Sequence, residues 1–268
     1  MSDTLDNHIA PGGSETESSS KSAPPILEVS DLHVRYGANV ALEGASLTVP
    51  RGQICGLVGM NGSGKSTLFK AITNSVSYQK GSIKVTGIDA NQARKQRLIG
   101  YVAQNEEIDW DFPVNVNQVV MMGRYGFMGP TRRPKSADLA AVQAALEMVE
   151  LQDLQQRQIG ALSGGQKKRV FIARAIAQGA PLLLLDEPFA GVDKYSETNI
   201  VDLLRKISAK GTTVVVSTHD LASLEKLCDE VVLLYRRVVY QGNPAGALDP
   251  QNLAKAFGLN PAASGGGQ

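Results

Sequence analysis

The sequence predicts an α/β fold built on a mostly parallel sheet, and three features point there. Short apolar runs such as Leu182–Leu185 and Val214–Val216 alternate with stretches of helical character. That is the pattern of strands buried on both faces and joined by crossover helices. The chain opens differently, on several short β-type segments separated by turns, which predicts an N-terminal antiparallel β subdomain. A third stretch, roughly 105–178, takes on helical periodicity and predicts a helical subdomain inserted into the core.

Taken in order, residues 1–25 are rich in Ser, Pro, Gly and acids and almost lack large apolar side chains. Burial there cannot offset the entropy of ordering, so a disordered tail is expected. Ile26–Val29, His33–Tyr36 and Ala45–Val49 read as strands, broken at Gly37 and at Pro50-Arg51-Gly52. Gln53–Val58 is an apolar strand running into glycine, and a helix is expected from Lys65. Ser82–Val85 and Leu98–Val102 read as further strands. Within Ala137–Val149, the side chains of Leu139, Val142, Leu146 and Val149 recur at helical spacing, with Ser136 as the expected cap. Strand Leu182–Leu185, a helix near Ser196–Ile207 and strands Thr213–Ser217 and Val231–Tyr235 follow. The Gly-rich end, 259–268, reads as a flexible tail.

Composition narrows the function classes. Of 268 residues, 43% are hydrophobic and 20% charged, enough for a large core. Lys and Arg number 27 against 26 Asp and Glu, a net charge of +1 that argues against nucleic acid as a partner. Cys55 and Cys228 have no pair spacing, so neither a disulfide framework nor a Cys-based metal site is expected, and a reducing compartment is. No apolar run reaches the ~18 residues needed to cross a bilayer. The N-terminus also lacks the basic start and apolar centre of an export signal. A soluble protein is expected.

The strongest single motif is Gly59-Met60-Asn61-Gly62-Ser63-Gly64-Lys65-Ser66-Thr67, which fits G-x-x-x-x-G-K-[ST] between an apolar strand and a helix. Glycines let consecutive backbone N–H groups turn inward around phosphate oxygens, and the helix N-terminus adds positive potential. Lys65 can reach the β- and γ-phosphates, and the Ser66 hydroxyl can ligate Mg²⁺. A Gly-rich turn with a chance lysine is the alternative, and the strand–helix context disfavours it. The second motif is Leu182–Leu185 followed by Asp186, Glu187 and Pro188. Asp186, at the carboxyl end of a central strand, would come to the phosphate side of the sheet and suits Mg²⁺. Glu187 is placed to polarise an attacking water as general base. An ordinary solvated acidic turn would give the same residues, but it would not need the phosphate loop upstream.

These two motifs define a P-loop NTPase core and no more. Between them lies Leu162-Ser163-Gly164-Gly165-Gln166, and with this stretch the chain resembles the ATP-binding cassette family, whose signature sequence it matches. The resemblance runs from about Ile26 to Gly258 and implies one nucleotide-binding domain over 26–258. It also implies roles for the remaining positions. Tyr36 matches the aromatic residue that stacks on adenine, and Gln104 the glutamine that senses Mg²⁺ and the attacking water. Asp193, in Ala190-Gly191-Val192-Asp193, matches the loop that crosses the dimer interface. His219 matches the histidine that contacts the γ-phosphate; of the three histidines it alone has positional support. No motif of the family is broken, and the N-terminal extension is the only evident departure.

In this family one active site is shared by two chains, the phosphate loop of one and the Ser163–Gln166 signature of the other. One chain here carries one full set, so the resemblance implies ATP and Mg²⁺ as cofactors and a homodimer or paired cassette. The interval between the nucleotide motifs holds neither sustained heptads nor Cys clusters, and the chain has one cassette; both favour transport over DNA repair or translation. With no spanning segment of its own, the chain would sit peripherally on the cytoplasmic face of the membrane beside permease subunits. Phe112-Pro113-Val114-Asn115-Val116, Val119–Gly126, Arg132-Arg133-Pro134, Gln166–Phe171 and Phe189–Asp193 look like the family's metal-importing branch. The implied cargo is manganese first, then zinc or chelated iron, delivered by an extracytoplasmic binding protein. The alternatives are a different cargo, or a cassette that regulates a partner by ATP-gated dimerisation.

Overall fold

The computed structural model describes residues 24–104 and 112–257. The expected tail up to residue 23, the first residues of the expected helical insertion (105–111), residue 258 and the expected tail 259–268 lie outside the described residues. The strands are β1 (Leu27–Tyr36), β2 (Asn39–Val49), β3 (Ile54–Val58), β4 (Lys80–Val85), β5 (Ile88–Asp89), β6 (Ile99–Val102), β7 (Leu182–Asp186), β8 (Thr213–Thr218), β9 (Glu230–Tyr235) and β10 (Arg237–Gly242). The helices are α1 (Lys65–Ile72), α2 (Ala90–Lys95), α3 (Val116–Met122), α4 (Ser136–Met148), α5 (Gly164–Gln178), α6 (Lys194–Ala209), α7 (Leu224–Leu227), α8 (Pro244–Ala247) and α9 (Pro250–Ala256).

Two sheets carry the chain. One is antiparallel, in the order β2-β1-β4-β5. The other runs β10-β9-β3-β8-β7-β6, and every pair from β9 to β6 is parallel; β10 alone is antiparallel, at the edge. β3, β7 and β8 are buried at every position, as strands covered on both faces must be. Their side chains divide by the period of two. Leu183, Leu185, Val214 and Val216 pack with α3–α6, whereas Leu182, Leu184, Val215 and Cys55 pack with α1 and the antiparallel sheet. The four leucines of β7 thus hold two cores together.

The cysteines follow the same division. Cys55 lies in one core and Cys228 in the other, both as free thiols. Burial raises the Cys55 thiol well above its ordinary value and pushes Cys228 up to about 12.

Several elements depart from expectation. Leu27–Val29 and His33–Tyr36 belong to one strand, β1, with Ile26 just before it; the pairing of β1 with β2 and β4 shifts register around Asp31, a residue at φ 48°. β10 and the short C-terminal helices carry no strong periodic signal and were not expected. Ser136 does not cap α4; it is the first helical residue. The Asp138 carboxylate closes that end by accepting the Lys135 N–H at 3.0 Å. The Leu139 side chain is 52% exposed, and Ala145 takes its place among the buried residues of the helix. Asp138 also accepts from Arg124 Nε at 3.0 Å, while Arg124 Nη1 donates to Ala177 O, so one ion pair ties the end of α3 to α4 and α5. The Lys135 N–H and then Arg124 hold the Asp138 carboxyl below the ordinary aspartate value.

Candidate nucleotide site

Parallel strands deliver their carboxyl ends to one edge of a sheet, and β3, β6, β7 and β8 are mutually parallel. Each is followed by a predicted site residue: residues 59–67 after β3, Gln104 after β6, Glu187 after β7 and His219 after β8. The phosphate loop is pinned where it must turn. Gly64 caps α1 at φ 107°, and a Cβ there would come within 2.6 Å of Leu42 Cδ2 and 2.8 Å of Ala41 O. At Gly59 a Cβ would lie 2.3 Å from Leu234 O. Only glycine fits either position, so the loop is clasped between β2 and β9.

Lys65 is 6% exposed and donates from Nζ to Gly59 O at 2.7 Å and Met60 O at 3.2 Å. Glu187 Oε1 lies 3.7 Å away. Desolvation lowers the Lys65 pKa below the ordinary lysine value, against the opposing pull of Glu187 and Asp186. A buried ammonium tied to its own loop's carbonyls is a donor ready for an anion's oxygens. The Ser63 hydroxyl is buried with no hydrogen-bond partner among the described residues.

Above the loop opens a cavity of about 450 Å³, a size suited to a nucleotide. Tyr36, Asn39, Val40 and Ala41 from the β1–β2 hairpin form one part of its wall. Met60, Asn61, Gly62, Gly64, Lys65, Ser66 and Thr67 form the phosphate-loop part, and Gln104, Glu187 and Arg236 complete it. Tyr36 is 45% exposed, leaving ring surface free to stack against a planar group. Asn39–Ala41 and Arg236 were not expected from sequence. Arg236 belongs to no motif, and its place in the wall comes from pairing of β9 with β3 far along the chain.

Asp186 and Glu187 are held by one hydroxyl. Ser217 Oγ donates to Asp186 Oδ1 and accepts the Glu187 N–H at 3.0 Å, and Ser217 O accepts the same N–H at 3.2 Å. Glu187 takes φ 48°, and its carboxylate, 8% exposed, meets His219 Nδ1 at 2.9 Å through Oε2. A carboxylate fixed by both an imidazole and a strained backbone is well placed to accept a proton from water. Ser66, Gln104 and Asp186 offer oxygen donors, the class that Mg²⁺ prefers, so these residues fit such an ion. No group of three or more His, Cys, Asp or Glu side chains converges among the described residues.

The wall does not include Ser163, Gly164, Gly165, Gln166 or Asp193. Ser163 caps α5 in a capping box: Gln166 N donates to Ser163 Oγ at 3.3 Å and Ser163 N to Gln166 Oε1 at 3.0 Å. Gly165 packs on Ser196, whose Oγ would lie 2.3 Å from an added Cβ. Asp193 caps α6, accepting from Ser196 N at 2.9 Å and Ser196 Oγ at 2.8 Å, and these bonds lower its pKa. The second glycine of the signature therefore has a packing reason within the chain. Lys168 Nζ donates to Gln104 O at 2.7 Å, linking α5 to the cavity wall.

The sequence pattern of the ABC transporter family matches residues 42–190, more than half of the chain. The manganese transport system ATP-binding protein MntA of Synechocystis sp. is 46% identical over 233 residues, covering 87% of this chain and 90% of that protein. The chelated iron transport system membrane protein YfeB of Yersinia pestis is 47% identical, over 87% of this chain and 79% of its own. Among solved structures, CbiO1 of Clostridium perfringens, part of the ABC transporter complex CbiONQ, superposes with a TM-score of 0.74 at 30% identity, covering 91% and 98% of the two chains. Sequence pattern, relatives and the convergence of strand ends on one phosphate loop agree: the chain belongs to the ABC transporter family, as one of its ATP-binding ATPase subunits.

Proposed function

We propose that this chain hydrolyses ATP to energise import of a divalent metal ion, manganese first and zinc or chelated iron next, through a separate membrane permease. The likeness to ATP-binding subunits named for manganese and chelated iron transport supports the cargo. The single observation that carries the catalytic half is the buried Glu187 carboxylate held beside Lys65 and His219 at the cavity.

In this reading Tyr36 stacks on adenine, residues 59–67 wrap the phosphates and Lys65 moves from its loop carbonyls to phosphate oxygens. Glu187 takes the proton from a water whose oxygen attacks the γ-phosphorus, and the bond to the β-phosphate oxygen breaks to release ADP. Ser66, Gln104 and Asp186 would hold Mg²⁺, which would supply charge neutralisation on the phosphates. His219 orients Glu187 toward the water. Residues 163–166 and Asp193 lie outside their own chain's cavity wall, in keeping with service to the cavity of a second copy. The ATPase unit spans 26–258, with a helical subdomain over about 105–178 that includes the permease-facing surface. The working unit is then a pair of cassettes on the cytoplasmic face of the membrane, served by a metal-binding protein outside.

The test is elemental content and radiotracer uptake of manganese, zinc and iron in native cells carrying wild-type protein or Glu187→Gln. A selective fall in one metal names the cargo. Unchanged uptake, with ATPase activity lost in the purified variant, removes the metal assignment.

A further inference from the structure

Eight non-glycine residues take a positive φ among the described residues, and only two of them, Glu187 and Arg236, line the cavity. Backbone strain of this kind collects at sites where it positions a functional group. Glu187 is explained by the chemistry above. Arg236 is not, and it sits at φ 58° in the turn from β9 to β10, a position that glycine would take without strain.

The turn is anchored on both sides. Arg236 N–H donates to Ser63 O of the phosphate loop at 2.8 Å, and Arg236 O accepts from Glu43 N at 2.8 Å. The root of the side chain is therefore fixed against the loop that would hold phosphates. Charge in the wall points the same way. Lys65 and Glu187 face each other at 3.7 Å and offset one another. The Arg236 guanidinium has no carboxylate partner among the described residues, so it is the uncompensated charge of the cavity.

We propose that Arg236 binds the phosphate chain of the nucleotide through its guanidinium, alongside Lys65. The proposal rests on the reading of this cavity as the ATP site. A planar guanidinium can give paired N–H bonds to phosphate oxygens, which an ammonium cannot. It would also explain why the turn keeps a strained arginine where the backbone favours glycine.

Arg236→Gly is the decisive variant, because it relieves the backbone while removing the charge. Its thermal midpoint without nucleotide should equal or exceed that of wild type. Titration with the non-hydrolysable analogue AMPPNP and with MgADP should give affinities about tenfold weaker than wild type, the loss expected for one charge-assisted contact. Arg236→Lys should fall between the two. Inorganic tripolyphosphate, which has no base or sugar, should compete about tenfold less well against the Gly variant. Affinities within twofold of wild type overturn the proposal, as does a loss for AMPPNP without one for tripolyphosphate. Failure of the wild-type protein to bind AMPPNP would instead overturn the ATP reading of the cavity.

Discussion

Glu187 Oε2 and His219 Nδ1 lie 2.9 Å apart, yet the carboxylate is 8% exposed and the imidazole 65% exposed. An exposed ring thus steers a buried base. His219→Ala should leave the carboxylate buried but unoriented, so kcat for ATP should fall roughly 100-fold, at the lower end of general-base effects. AMPPNP affinity and thermal midpoint should stay close to wild type. A steady-state assay beside a binding titration checks this, and an unchanged kcat would remove His219 from the mechanism.

Glu187→Gln keeps the shape of the side chain and removes its basicity. The amide cannot take a proton from water, so turnover should fall by at least about 100-fold while ATP binding persists. Trapped ATP should then accumulate the paired form. Gel filtration of the variant with MgATP should show dimer; monomer alone would contradict a site shared between two chains.

Lys65→Ala should abolish tight ATP binding, since the phosphate loop has no other side-chain cation. The pH dependence carries a sign. Desolvation lowers the pKa of Lys65 in the free protein, so its charge is lost on raising pH before the ordinary lysine range is reached. Nucleotide affinity, plotted against pH, should begin to weaken below the ordinary lysine value of 10.5. A break at or above it would mean that the buried ammonium is not the group that the nucleotide needs.

Gly165→Ala brings a Cβ to 2.3 Å from Ser196 Oγ and 2.6 Å from Ser196 Cβ, so α5 and α6 must move apart. Overpacking of this kind costs about 1–3 kcal/mol. Thermal unfolding without nucleotide should show the loss, and adding Ser196→Gly should recover most of it. An unaltered midpoint in the single variant would assign Gly165 to nucleotide contact alone.

Legibility in the sequence tracked locality. The Gly59–Thr67 loop, Asp186–Glu187 and the Ser163–Gln166 cap are written in consecutive residues, and each sits on the expected strand end or helix start. His219 was marked by the resemblance to the cassette family, with Val214–Val216 of β8 placing a buried strand just before it. His33 is an ordinary surface partner of Asp31 at 2.9 Å, which bare histidine position could not reveal. Ser217 and Arg236 were not legible: both act through bonds to residues distant in sequence, created by strand pairing. The Ser136 assignment failed because a carboxylate three residues into a helix end can close it as well as a hydroxyl before it.

The separation of Cys55 and Cys228 into two cores has a practical consequence. They are the only cysteines in the chain, and burial keeps both thiols protonated and shielded at neutral pH. The native protein is already a clean background for thiol-directed probes. Tyr195, 77% exposed at the start of α6 beside Asp193, offers a position for one introduced cysteine. A spin label there would report the separation of two copies as a distance, with both native cysteines kept.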